Sequence, residues 1–207
     1  MGAGQLTLST AAVPTSVLVS GGTLQVGNNS AAQVPVAAYS LENNSTLVFS
    51  LNALNTTTAT STISGTGNVV FTGMSTGSSY YSTQSFAASG LTYTGTTTVN
   101  FGNASAAFYV QNNTSNSLPS STILNMMQGT VYLRQSQTVA GLSGTGGVVG
   151  AATAGAPTLT MNVASGASYS SAARLIDVDK VLSVIKSGAG TQVLTGSHSY
   201  TGGTTIS

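Results

Sequence analysis

Four times in this chain a turn built on two glycines is followed by an extended segment. Gly2-Ala3-Gly4 precedes Gln5-Leu6-Thr7-Leu8, and Gly65-Thr66-Gly67 precedes Asn68-Val69-Val70-Phe71. Gly144-Thr145-Gly146 precedes Gly147-Val148-Val149, and Gly188-Ala189-Gly190 precedes Thr191-Gln192-Val193-Leu194. Ser64, Ser143 and Ser187 stand directly before three of these turns. A second unit also recurs: Leu91-Thr92-Tyr93-Thr94-Gly95-Thr96-Thr97-Thr98-Val99 aligns with His198-Ser199-Tyr200-Thr201-Gly202-Gly203-Thr204-Thr205-Ile206. Gly21-Gly22-Thr23-Leu24-Gln25-Val26-Gly27-Asn28 partly returns as Val99-Asn100-Phe101-Gly102-Asn103. Unevenly spaced copies suit a solenoid, where each turn packs only on its neighbours and insertions bulge out between coils.

The residue types agree. Thr and Val favour extended backbone because β-branching restricts χ1. Glu, Lys and Arg together occur five times among 207 residues, too rarely to solvate the outer faces of helices. Candidate strands with two-residue alternation fall at 5–9, 16–19, 23–26, 46–51, 68–72, 96–101, 107–111 and 130–133. Later ones fall at 158–163, 174–178, 181–186 and 191–195. Gly21-Gly22, Asn43-Asn44 and Asn112-Asn113 sit between strands, as residues that tolerate positive φ. The expected fold is all-β, a parallel β-solenoid occupying 1–207 as one domain, with irregular loops around 30–45 and 74–90. The rival is a β-sandwich, whose regular hairpin signals are missing: Asn-Gly and Asp-Gly never occur.

Seven formal charges, Glu42, Arg134, Arg174, Asp177, Asp179, Lys180 and Lys186, leave a net charge of +1. That excludes a basic footprint for nucleic acid and a polybasic membrane patch. With no Cys and the single His198, a Cys/His zinc site is impossible. No cofactor or metal is expected. Apolar runs are far shorter than the roughly 20 residues of a spanning helix, and no signal peptide opens the chain.

Asp177 and Asp179 are the one close carboxylate pair. On a strand, positions two apart share a face, as paired acids of glycan-cleaving β-helices do. The alternative is a solvated charge cluster balanced by Arg174 and Lys180. A helical reading of the same stretch puts Leu175, Val178, Val181, Leu182 and Ile185 on one face, and periodicity alone leaves both open. His198 has no Gly-x-Ser-x-Gly elbow to serve and reads as a turn residue. The Gly-x-Gly units lack the continuation of a phosphate loop. Tyr80, Tyr81, Tyr93, Tyr109, Tyr132, Tyr169, Tyr200, Phe86 and Phe108 are candidates for stacking a surface glycan or for packing inside. The sequons at Asn43, Asn55 and Asn103 are what an Asn/Ser/Thr-rich chain yields by chance.

Residues 186–206 closely resemble the autotransporter-associated β-strand repeat, also called the passenger-associated transport repeat. The pattern runs Lys-x-Gly-x-Gly, an apolar-Thr alternation, then Gly-x-Asn-x-Tyr-x-Gly-Gly-Thr. Lys186, Gly188, Gly190, Leu194, Gly196, Tyr200, Gly202, Gly203 and Thr204 match it, and His198 stands where Asn is usual. Residues 1–29 and 62–103 resemble it less closely, although 12–19 departs from the Tyr-x-Gly-Gly part. The resemblance implies a right-handed parallel β-helix in secreted or cell-surface proteins of Gram-negative bacteria, often large adhesins, with no catalytic residues to carry over. It also favours strand over helix for 181–186.

The expected function is therefore structural, not enzymatic: an extracellular scaffold, surface adhesin or fibre-forming subunit. A secretion-assisting stalk segment of an autotransporter passenger is the alternative, and a polysaccharide-binding or polysaccharide-cleaving β-helix comes third. The chain starts and stops inside a repeat, so its two ends are formally complementary. Head-to-tail stacking into a homo-oligomer is expected, through Gln5, Leu6, Thr7 and Leu8 at one end and Thr204, Thr205 and Ile206 at the other. A surface glycan or host receptor is the other expected partner.

Overall fold

The computed structural model describes residues 4–9, 14–28, 37–50, 57–59, 61–73, 84–86, 91–102, 107–110, 117–152 and 155–207, with backbone alone for 57–59, 84–86 and 107–110. Every strand pairing in it is parallel. The first sheet runs β1 (Gln5–Leu8), β3 (Thr23–Val26), β5 (Thr46–Ser50), β8 (Asn68–Gly73), β10 (Thr97–Phe101), β12 (Ile123–Gln128) and β15 (Gly141–Ser143). The second runs β6 (Thr57–Ala59), β9 (Gln84–Phe86), β11 (Ala107–Val110), β13 (Thr130–Leu133), β16 (Val148–Ala151) and β19 (Arg174–Asp177). A third holds β2 (Ser16–Val19), β4 (Ala38–Leu41) and β7 (Thr62–Gly65). The fourth holds β14 (Gln137–Val139), β17 (Thr158–Asn162), β20 (Ser183–Ser187) and β22 (Thr204–Ile206), and the fifth β18 (Ser168–Ser171) and β21 (Thr191–Leu194).

From β1 to β5 the chain alternates between the first and third sheets; from β12 to β17 it visits the first, second and fourth in turn, twice over. Hydrogen-bonded rungs are 18 residues apart at Leu6↔Leu24 and 28 at Val69↔Thr97, so loops of varied length leave the register intact. The fold is all-β with parallel sheets, the arrangement a β-solenoid requires; hairpins of a sandwich are absent among the described residues.

Register stacks like on like. Leu6, Leu24, Leu47, Val69, Thr97, Leu124 and Leu142 form one inward column of the first sheet. Leu8, Val26, Phe49, Phe71, Val99 and Met126 form the next. Phe49 and Phe71 stack at 5.6 Å with rings 10° apart, and Tyr39 meets Phe49 edge-on. Burial pushes the Tyr39 phenol up to about 12.

Thr97 interrupts an apolar column, and its hydroxyl is satisfied by a directional chain. Thr122 Oγ1 donates to Gly95 O at 2.6 Å, so it accepts from Thr97, 2.8 Å away. Thr97 in turn accepts from the Tyr93 hydroxyl at 2.6 Å. All three side chains are fully buried, and burial raises the Tyr93 phenol above its ordinary value. A Thr97→Val variant keeps the shape but leaves Tyr93 without an acceptor and Thr122 without a donor. It is expected to lose about 1–3 kcal/mol, seen as a lower urea midpoint at unchanged slope.

Several expectations are corrected. The 30–45 region is not all loop: β4 lies in it, with Tyr39 and Leu41 buried and paired to both β2 and β7. Likewise β9 falls within 74–90. Residues 30–36, 74–83 and 87–90 lie outside the described residues, as do Asn112-Asn113. The helical reading of 174–186 fails because β19 and β20 each gain a full ladder to β16 and β17. Leu175 and Leu182 are buried, whereas Val178 and Val181 project from the turn between the strands. Asn43 and Asn44 do take positive φ, 49° and 56°.

Candidate functional site: the last rounds of the stack

Five of the seven charges gather at 174–186. Asp177 ends β19, whereas Asp179 lies beyond it in an exposed turn, so the two acids do not share a strand face. This corrects the paired-acid reading. Asp177 is committed to backbone: Oδ1 accepts from Leu182 N at 2.7 Å, and Oδ2 from Thr201 N at 2.9 Å and Thr201 Oγ1 at 2.6 Å. It ties the turn after β19 to the corner before β22.

The Thr201 hydroxyl, then the Leu182 amide, hold the Asp177 carboxyl below its ordinary value. A depressed carboxylate contributes stability above the unfolded aspartate pKa of about 3.9, and that contribution is lost as pH falls through the lower folded value. Protection of the Leu182 and Thr201 amides, taken as exchange relative to the intrinsic rate at each pH, is therefore expected to fall below about pH 4. In Asp177→Asn that pH dependence should be flat.

His198 lies in the extended connection between the bend at Gly196 and the bridged Ser199. Its Nδ1 accepts from Leu175 N at 3.2 Å, and its ring lies 6.3 Å from that of Tyr200. Among the described residues no group of His, Asp or Glu side chains is arranged to hold a metal ion, and no helix is long and apolar enough to cross a membrane.

The aromatic residues divide. Tyr93 is wholly buried and cannot stack a glycan. Tyr169 lies against Gly141, where an added Cβ would come 2.2 Å from its ring. Tyr132 and Tyr200 are half-buried. Tyr80 and Tyr81 lie outside the described residues, as do the side chains of Phe86, Phe108 and Tyr109. Asn43 donates its amide to Ser20 O at 2.9 Å, and Asn55 and Asn103 lie outside the described residues.

The residues expected to stack end to end sit at sheet edges. Gln5, Leu6, Thr7 and Leu8 form β1, first in the seven-stranded sheet, with Leu6 60% exposed. Thr204, Thr205 and Ile206 form β22, last in the four-stranded sheet, with Ile206 81% exposed. They belong to different sheets, so β1 and β22 are not edges of one face.

Residues 184–207 also explain their own pattern. Lys186 lies in register between Met161 and Ile206, and its ammonium reaches the carbonyls of Ser187 at 3.0 Å and Gly188 at 2.6 Å. Its stem covers an inward column while its head caps the turn. Tyr200 hydroxyl meets Thr204 Oγ1 at 2.8 Å, the same four-residue pairing as Tyr93 with Thr97. The Tyr-x-Gly-x-Thr spacing is therefore a corner in which a phenol spans a glycine turn to the next strand's first inward hydroxyl.

A family model described as Passenger-associated-transport-repeat matches residues 184–207. No curated protein and no solved structure matches the chain. The last 24 residues, the round of the parallel stack that carries Lys186, Gly188, Tyr200 and Thr204, are thus similar to a passenger-associated transport repeat of the autotransporter-associated family.

Proposed function

We propose that the chain is a structural segment of an autotransporter passenger, a right-handed parallel β-helix displayed outside a Gram-negative cell as a shaft or adhesive scaffold. The observation that carries this reading is the likeness of 184–207 to a transport repeat, a segment laid in parallel register on the preceding round by β20 on β17 and β21 on β18. The chemistry supports a non-enzymatic role, since Asp177 is engaged by amides and a hydroxyl, and Asp179 sits apart from it. The repeat's description favours one second reading, a stalk segment that assists secretion.

Surface display tests the proposal. With a C-terminal translocation barrel fused to the chain in a Gram-negative host, trypsin added to intact cells should cut at Lys180, in the exposed turn 178–181. A protected or periplasmic product overturns it. Glycan-hydrolysis assays with Asp177→Asn and Asp179→Asn as controls separate the enzymatic class, and activity lost in those variants would reverse the order of readings.

Head-to-tail assembly belongs to the same proposal. A neighbouring copy would lay β1 on β21 and β2 on β22, extending two faces at once with little charge to oppose it. Sedimentation at micromolar concentration should show concentration-dependent oligomers. A monomer insensitive to concentration sinks this part.

A further inference from the structure

We propose that Gln192 is a side-chain latch that closes a gap in the first face of the stack. The seven-stranded sheet ends at β15, and the next rung, β18, begins a separate sheet. The two faces join by a single bridge, Gly144↔Ser171. At the same level the other sheets run unbroken, β16 to β19 over four residue pairs and β17 to β20 over five. One face is therefore open where the others are closed. The ring of Tyr169 lies in that opening, over Gly141.

Gln192 fills what remains. It belongs to β21, 50 residues and two rungs beyond Leu142, yet its Oε1 accepts from Leu142 N at 2.9 Å. Its Nε2 donates to Leu142 O at 2.7 Å and also approaches Tyr169 O at 3.4 Å. A primary amide offers the same donor and acceptor as a peptide unit, so this one side chain stands in for the missing strand. Leu142 is fully buried, and without the latch its N–H and C=O would both be orphaned. Glu at this position accepts but does not donate, Asn is one methylene short, and Met does neither. Release of the latch would bare the edge of β15 as an acceptor for a parallel strand while the second and fourth sheets hold the last rounds in place.

Hydrogen exchange on the full chain tests this. In wild type, the Leu142 amide should exchange through a local opening, with a denaturant dependence smaller than that of Val149 and Leu159. In Gln192→Met, Leu142 should exchange faster by about tenfold or more, the loss of one to two hydrogen bonds, while Val149 and Leu159 change little. Unchanged exchange at Leu142, or an equal rise across all sheets, overturns the proposal. Should Gln192→Met not fold, the wild-type measurement decides: a Leu142 amide that opens only with the global dependence overturns it equally.

Discussion

Gly144→Ala is expected to lower stability by about 3–5 kcal/mol, moving the urea midpoint far enough that the variant is partly unfolded in mild denaturant. Gly144 has φ of 112°, a region L side chains rarely adopt. An added Cβ would lie 1.9 Å from Met126 O, 2.5 Å from Met126 C and 2.7 Å from Met126 N. Those atoms are the backbone of β12 in the rung below, so relief requires breaking the ladder and not merely turning a side chain. Gly166 supplies the control. It has φ of 79° with nothing within 4 Å of an added Cβ, so Gly166→Asn should cost under about 1 kcal/mol. Equal losses in the two variants would show that close packing of rungs is not what the Gly-x-Gly turns serve.

Phe49→Ala is the second large effect, with about 3–5 kcal/mol expected from equilibrium denaturation. Phe49 is fully buried, stacked on Phe71 and met edge-on by Tyr39. Its column is continuous from Leu8 to Met126, and the neighbouring rungs are fixed by ladders on either side, so the cavity cannot collapse by a shift of one strand. Phe71→Ala should resemble it, and the double variant should cost less than the two combined, because the stacking is lost once. A loss below about 1 kcal/mol in Phe49→Ala would mean that the stack relaxes freely, against the close packing that parallel rungs impose.

Much of the fold was legible because strand alternation and glycine turns are local signals. The segments at 16–19, 23–26 and 130–133 coincide with β2, β3 and β13. What escaped includes β4 and the six-residue β12, and also strands whose own pattern is thin. β14 and β15 have three residues each, and β18 reads Ser-Tyr-Ser-Ser. Such segments become strands because one neighbouring rung already presents its N–H and C=O groups: β12 beside β15, β17 beside β14 and β21 beside β18. The acid pair was misjudged for a related reason. Two-residue spacing puts carboxylates on one face only while the strand lasts, and β19 stops at Asp177. The structural use of Asp177, which caps amides five and 24 residues away, has no sequence signature.

The sequence by itself determined the class of the protein: repeated Gly-x-Gly corners, β-branched alternation and scarce charge admit parallel β-stacking and little else. It also carried the likeness of the last round to a transport repeat, because Lys186 with Gly188, and Tyr200 with Thr204, each act within a local corner and so keep a fixed spacing. Only the tertiary structure decided which rungs are neighbours. Between successive rungs lie 18 to 28 residues, and loops of that variety erase any sequence period. The same uncertainty hid the Tyr93–Thr97–Thr122 hydroxyl chain and the Gln192 clasp on Leu142. Both join residues from different rounds, and contact between rounds depends on register, which is set by the ladder and not by distance along the chain.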